Sequence, residues 1–233
     1  MQMIRSSLFV VFLFVFSFIV GALTFPALLK REWSIAVSKF WASGLLGALK
    51  VLCSVDDVVV GRENIPKGAA LIAAKHQSMW ETLKLTVLLP RPSFVLKKEL
   101  KHWPIFSWYC RANGFIFIDR DAGAKTLRDM TAQSKARLLE GAQIVIFPEG
   151  TRSLPGQRLP YQPGVAALAK TLGVPTIPVS HNSGEHWVQP GPEKLPGTIT
   201  IQIHPAIDDA SNRRAYLKAV ETAIEGPDEE VVA

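Results

Sequence analysis

Three short segments of this chain combine acids, bases and cations at spacings that chemistry can use. The first is K-H-Q-S-M-W-E, residues 75–81, in which His76 precedes Glu81 by five positions. A neutral imidazole whose other ring nitrogen is held by a carboxylate can take the proton of a hydroxyl group. The second, G-F-I-F-I-D-R (114–120), ends on Asp119 and Arg120, and the third, F-P-E-G-T-R-S (147–153), carries Glu149, Gly150, Thr151 and Arg152. Lys97 and Lys98 follow a further apolar run, S-F-V-L. Arginine suits phosphate because its planar fork donates in pairs. Neither Walker A, G-x-S-x-G nor G-x-G-x-x-G occurs, which argues against a P-loop enzyme, a serine hydrolase and a dinucleotide-binding domain.

His76 and Glu81 on one helix would stand about 140° apart and would not meet. A helix that begins near Ser78 instead leaves His76 in the preceding turn, with Glu81 one turn in, and the chain reversal can bring the two together. Ser78-x-x-Glu81 is also a capping box, in which the glutamate bonds the Ser78 amide and the serine hydroxyl bonds the Glu81 amide. Capping and orienting the histidine compete for one carboxylate, and both readings stand. Asp119-Arg120 reads equally well as a surface ion pair.

The elements that must position these groups read as α/β. Apolar runs at 55–60, 69–74, 93–96, 114–118, 143–147, 176–179 and 198–203 are expected strands, and helical periodicity covers 78–89, 122–139, 164–172 and 211–225. Helices lying between strands predict a mostly parallel sheet of about seven strands with helices on both faces. Only 198–203 alternates clearly, through Ile199, Ile201 and Ile203, which places it at or near an edge. All the chemically useful segments fall just past carboxyl ends of expected strands, the edge where open parallel sheets bind ligands. Pro148 ends its strand, and Gly150 permits the tight turn that presents Glu149, Thr151 and Arg152. His102, His181, His186 and His204 read as incidental, although 181–184 follow a strand and can line a pocket. Cys53 and Cys110, far apart, indicate neither a disulfide nor a metal site.

Before the expected sheet comes a different composition. Residues 8–29 form an uncharged, largely apolar run, about 33 Å long as a helix and so able to reach across a bilayer. In 33–52, Trp33, Val37, Phe40 and Val51 share one direction while Lys39 and Lys50 lie to the side, a pattern that suits a helix in the membrane surface or one packed on the globular part. The expected organisation is a membrane-anchoring two-helix segment (1–53), an α/β domain (54–225) and an acidic flexible tail (226–233). Whether the first helix spans the bilayer or dips in and returns stays open. Arg5 against Lys30 and Arg31 favours a cytoplasmic main domain.

With 48% hydrophobic residues, intrinsic disorder is excluded. The net charge of +6 points to an anionic partner. Ten basic and four acidic residues crowd into 91–137 without any nucleic-acid fold motif or stacking aromatics, so the anion is expected to be a membrane surface or a phosphorylated substrate, not nucleic acid.

Taken in order, K-H-Q-S-M-W-E, G-F-I-F-I-D-R, F-P-E-G-T-R-S and V-P-T-I-P-V (174–179) resemble the four blocks of the glycerolipid acyltransferases. The resemblance implies transfer of an acyl group from acyl-CoA or acyl carrier protein to the sn-2 hydroxyl of 1-acyl-glycerol-3-phosphate (lysophosphatidic acid), forming phosphatidic acid. By the same carry-over His76 is the general base, Glu81 orients it, Lys97, Arg120 and Arg152 grip the acceptor phosphate, and Glu149, Gly150 and Thr151 shape the acceptor pocket. It implies no cofactor beyond the acyl donor and no metal, association with membrane lipids, and a place at the bacterial inner membrane. The family pattern is usually H-x4-D, whereas this chain has H-x4-E. Oxyanion stabilisation is expected from free amides at the start of the helix near Ser78. The alternatives are an acyltransferase for another lysolipid or glycerol 3-phosphate, and a non-catalytic membrane module.

Overall fold

Strand β2, Ala70–Ala74, is buried at every residue, and its alternating side chains explain the layers around it. Ala70, Ile72 and Ala74 face one apolar cluster with Trp80, Leu83, Leu45 and Leu49, while Leu71 and Ala73 face another with Val165, Leu168, Tyr216 and Val220. A strand that is apolar throughout must be covered on both sides, and here it is. The computed structural model describes residues 1–227 of the 233. Most of the acidic tail expected at 226–233 lies outside the described residues.

The other strands are β1 (Val55–Val60), β3 (Pro92–Lys97), β4 (Ile116–Ile118), β5 (Gln143–Ile146), β6 (Thr176–His181) and β7 (Gly197–Ile203). They form one seven-stranded sheet in the order β1-β7-β6-β2-β5-β3-β4. All neighbours run parallel except β6 and β7, so β1 and β7 oppose a five-stranded parallel block. The alternating strand β7 sits one place in from the edge. Thus the α/β architecture matches the expectation, with helices on both faces.

Helices α1 (Gln2–Leu23), α2 (Arg31–Cys53) and α3 (Trp80–Leu88) cover one face. α4 (Phe106–Ala112) lies at the far end of the α1–α2 hairpin, and the opposite face carries α5 (Ala124–Leu138), α6 (Gly164–Leu172) and α8 (Arg213–Glu225). A one-turn helix, α7 (Ser183–His186), follows β6. The start of α8 is specified locally, since the Asn212 side-chain oxygen Oδ1 accepts from the amides of Arg214 (3.0 Å) and Ala215 (3.1 Å), a cap worth about 1 kcal/mol.

The hairpin is docked at both of its ends. Near the start of α1, buried Phe9 meets the Trp187 ring edge-on at 5.5 Å. Near its finish, Gly21 lies under Ile105, where a Cβ would collide with that side chain, and Thr24 shares a 2.7 Å hydrogen bond with Tyr109. On α2, Ala42, Leu45, Leu49 and Cys53 are buried against the domain while Trp33, Phe40 and Val51 are exposed. The two readings of this helix therefore describe its two faces, one packed and one bare.

Some boundaries differ from the expectation for local reasons. β4 starts at Ile116 because Gly114 and Phe115 still close the turn after α4, their amides bonded to Arg111 and Cys110 carbonyls. α4 itself was not expected, since F-S-W-Y-C-R-A is only seven residues and carries no side-chain cap. β6 runs two residues past Val179 because Ser180 and His181 pair with Gln202 and Ile201 of the antiparallel β7.

Candidate active site

β2 lies between β5 and β6, so the chain leaving its carboxyl end emerges where the loops after all three strands meet. His76 follows that strand by two residues, and its ring stacks on Phe147 at 4.0 Å. The helix begins only at Trp80, which leaves His76 in the turn before it. The reversal closes the pair: His76 Nδ1 is 2.7 Å from Glu81 Oε1. With the carboxylate ionised, Nδ1 carries the proton and Nε2 keeps its lone pair.

Glu81 is fully buried and every direction around its carboxylate is filled by a donor. Oε1 also accepts the Gln77 amide at 3.1 Å and the Ser78 amide at 3.0 Å, while Oε2 accepts the Ser78 hydroxyl at 2.8 Å and the Ser183 hydroxyl at 3.0 Å. Burial alone would raise its pKa, but the hydrogen bond from His76 and the surrounding amide donors hold it down to about 2.

The competition between capping and orienting does not arise. One carboxylate does both, because its two oxygens serve the histidine and the Ser78 amide together. The serine half of the box differs from expectation, for the Ser78 hydroxyl accepts from the Trp80 amide at 3.0 Å and donates to Glu81. Of the amides near the start of this helix, those of Gln77, Ser78 and Trp80 are already committed.

His181 and Ser183, not singled out by sequence reasoning, complete this wall. Nδ1 of His181 accepts the Ser183 amide at 3.2 Å, so Nε2 donates to the Lys75 carbonyl at 2.9 Å. Burial lowers the pKa of this imidazole, in keeping with its neutral form. The Ser183 hydroxyl lies 2.7 Å from that of Ser78. Only the position of 181–184 after a strand hinted at a role, and that hint pointed to a pocket lining, not to a support behind the histidine.

The loop after β5 forms the front. Glu149 Oε1 accepts the His76 amide at 2.9 Å, and the Ser153 amide donates to the His76 carbonyl at 2.8 Å, so the F-P-E-G-T-R-S loop is tied to the histidine turn on both sides. Burial pushes the Glu149 carboxyl up, against the pull of Ser153, the His76 amide and Lys75. Gly150 has φ of +73°, and a Cβ there would stand 3.2 Å from Gln162, so the turn suits glycine doubly. Arg120 reaches the Gly150 carbonyl, and Arg152 donates to Gln189 at 3.1 Å. Thr151, Arg152 and Arg120 are exposed.

Lys97 ends β3 on the same edge, paired in register with Ile118, and its side chain is exposed. Asp119 is not the partner of Arg120. It pairs with Lys98 at 2.6 Å, so the surface ion pair forms with a residue that follows β3 and not within the Asp-Arg sequence as expected.

Beside the front lies a cavity of ≈ 260 Å³, lined by Gln77, Ser153, Leu154, Gly184 and Gln189 among others. Underneath, Lys75 and Glu225 form a buried ion pair at 2.6 Å, each side chain 7% exposed, and the Tyr161 hydroxyl adds a 3.1 Å bond to the same carboxylate. The end of α8 is thereby fastened to the residue next to His76. Among the described residues no group of three or more His, Cys, Asp and Glu is arranged to hold a metal ion.

Residues 58–182 match the acyltransferase family model. The chain is 37% identical over 209 residues to the 1-acyl-sn-glycerol-3-phosphate acyltransferase of Pseudomonas aeruginosa, a match covering 88% of this chain and 81% of that protein. It is 29% identical over 145 residues to the enzyme of the same name from Saccharomyces cerevisiae, covering 61% and 48% respectively. The fold is similar to the crystal structure of the 1-acyl-sn-glycerophosphate (LPA) acyltransferase PlsC from Thermotoga maritima, with a TM-score of 0.81, 25% identity, and coverage of 96% of this chain and 93% of that one.

Proposed function

The chain belongs to the acyltransferase family, and from that premise we propose that it carries an acyl group from acyl-CoA or acyl carrier protein to the sn-2 hydroxyl of 1-acyl-glycerol-3-phosphate, yielding phosphatidate. The observation that carries this reading is the 2.7 Å contact between His76 Nδ1 and a fully buried Glu81, which leaves Nε2 unencumbered at the ligand-binding edge of the sheet.

In this mechanism Nε2 takes the hydroxyl proton as the oxygen attacks the thioester carbonyl. The imidazolium so formed is stabilised by a carboxylate that stays ionised throughout, since its pKa is held at about 2. Collapse of the tetrahedral adduct breaks the carbon–sulfur bond, and the histidinium returns its proton to the thiolate. Arg120 and Arg152 on the flanking loops, with Lys97 further along the edge, hold the acceptor phosphate, and Glu149, Gly150 and Thr151 shape the turn beside it.

We place the protein at the bacterial inner membrane with the α/β domain on the cytoplasmic side; the two long apolar helices of the hairpin support the membrane setting. Its helices run alongside the domain and touch it at both ends, so a spanning α1 would drag the polar domain into the hydrocarbon. An in-plane anchor, with Phe14, Phe18 and Phe40 exposed on the outer face, accommodates both facts.

The test incubates purified protein with 1-acyl-glycerol-3-phosphate and labelled acyl-CoA or acyl carrier protein, with glycerol 3-phosphate as a second acceptor. Phosphatidate should form from the lysolipid, and His76→Ala should slow turnover at least ~100-fold with an unchanged circular dichroism spectrum. Near-normal turnover in a folded His76→Ala protein would overturn the assignment of the base, and transfer confined to glycerol 3-phosphate would overturn the acceptor.

A further inference from the structure

A second cavity, of ≈ 280 Å³, lies along the free edge of β4 and is lined by Arg31, Lys101, Arg111, Gln133 and Arg137 around Gly114. No acidic side chain lines it. Glu140 beside it pairs with Arg31 and, at 3.0 Å, with Arg137, which leaves four cations facing one carboxylate. Gly114 has φ of +78°, and a Cβ there would come within 3.1 Å of Arg137 Cδ and 3.2 Å of Arg31 Cζ. Glycine lets two guanidinium groups close on one point of the backbone. Burial first, then the charges of Arg137 and Arg91, lower the pKa of Arg31, while Glu32 pulls the other way.

The position of this cavity separates it from the acceptor cations. The cavity runs along β4 from Gly114 to Phe117, whereas Arg120 stands beyond that strand's carboxyl end and reaches the Gly150 carbonyl. What lies next to it is the tip of the α1–α2 hairpin. Arg31 opens α2, Phe25 meets Trp108 edge-on at 5.7 Å, and Leu29, Trp33, Trp103 and Trp108, close in sequence to the lining residues or to the hairpin tip, are exposed. Tryptophans next to cations at the margin of an apolar surface match the chemistry of the headgroup layer.

We infer that this pocket holds the phosphate of an anionic membrane phospholipid and clamps the hairpin tip at headgroup level. The inference rests on the membrane reading of the hairpin. A lipid headgroup is favoured over an acidic carrier protein because the site is a concave pocket ringed by exposed apolar residues, whereas a protein helix would need a broad polar face.

The experiment measures sedimentation of the purified full chain with vesicles of phosphatidylcholine alone or with phosphatidylglycerol added. The site variant is Lys101→Gln with Arg111→Gln, two exposed side chains, and the control is Lys67→Gln with Lys170→Gln, equal in charge and elsewhere on the surface. The natural chain should prefer the anionic vesicles, the site variant should lose about 25-fold of that partition, and the control should stay within about twofold. Equal loss in both variants, or no anionic preference in the natural chain, overturns the pocket. Failure to bind either vesicle overturns the membrane reading beneath it. Release by glycerol 3-phosphate at constant ionic strength would reassign the pocket to soluble phosphates, and loss of carrier-protein binding with unchanged vesicle binding would reassign it to that protein.

Discussion

Behind His76 and in front of it the molecule is built on opposite principles. The wall behind is closed: Glu81, Ser78, Ser183 and His181 are buried and bonded to one another, and the carboxylate accepts from three hydroxyl or imidazole groups and two amides. The front is open: Arg120, Arg152, Thr151 and Lys97 are exposed. The two glutamates that flank the histidine turn report the difference. Glu81 is held at about 2 by its donors, while burial pushes Glu149 up. The orientation of the His76 ring is built into the fold by buried partners, whereas the cations in front stand on exposed loops.

The largest expected effect tests what anchors the closed side. Removing one member of the Lys75–Glu225 pair leaves a buried charge, so Glu225→Ala should cost about 3–5 kcal/mol in urea unfolding, while Lys75→Met with Glu225→Leu should recover most of it. A loss below about 1 kcal/mol in the single variant would remove α8 from the support of the histidine turn.

Next comes Glu81→Gln, for which turnover is expected to fall on the order of 100-fold. Its stability has a definite pH signature. The native pKa lies below the ordinary 4.5, so the carboxylate contributes fully above 4.5, about 3 kcal/mol, and that contribution fades as pH falls from 4.5 through about 2. Denaturation midpoints of the two proteins should converge across that window, and a constant gap would mean the charge is not what stabilises the site.

On the open side the expectation is a different kinetic pattern. Arg152→Ala should raise KM for the lysolipid about 10–100-fold with little change in turnover, the loss of a charged hydrogen bond made by ground and transition states alike. If turnover fell as far as KM rose, front and back would share one role.

The smallest effect has the opposite sign to that at Glu81. A carboxyl whose native pKa is raised disfavours folding when ionised, so Glu149→Gln should be slightly more stable at neutral pH, and the gain should vanish as acid protonates the native group. A loss instead would place Glu149 with Glu81 as a needed anion.

Much of this was legible in the chain. Each of the seven strands appears as an apolar run, and the chemically useful residues stand just past the ends of four of them, because both signals are local: a strand covered on two faces needs consecutive apolar side chains, and a ligand-binding edge needs polar groups where those runs stop. His76 and Glu81 were legible as a pair only on the condition that the helix starts after the histidine, which the structure meets at Trp80.

What the tertiary structure alone decided are the contacts between residues far apart in sequence. His181 and Ser183 reach Glu81 because β6 borders β2 and is prolonged by pairing with β7, and no pattern along 176–186 announces that neighbour. Glu225 meets Lys75 across 150 positions, and Arg31 joins Arg137 beside Gly114 because the hairpin tip folds onto α4. Periodicity records which side of an element is buried and says nothing of what buries it, since that depends on the order in which strands assemble into a sheet.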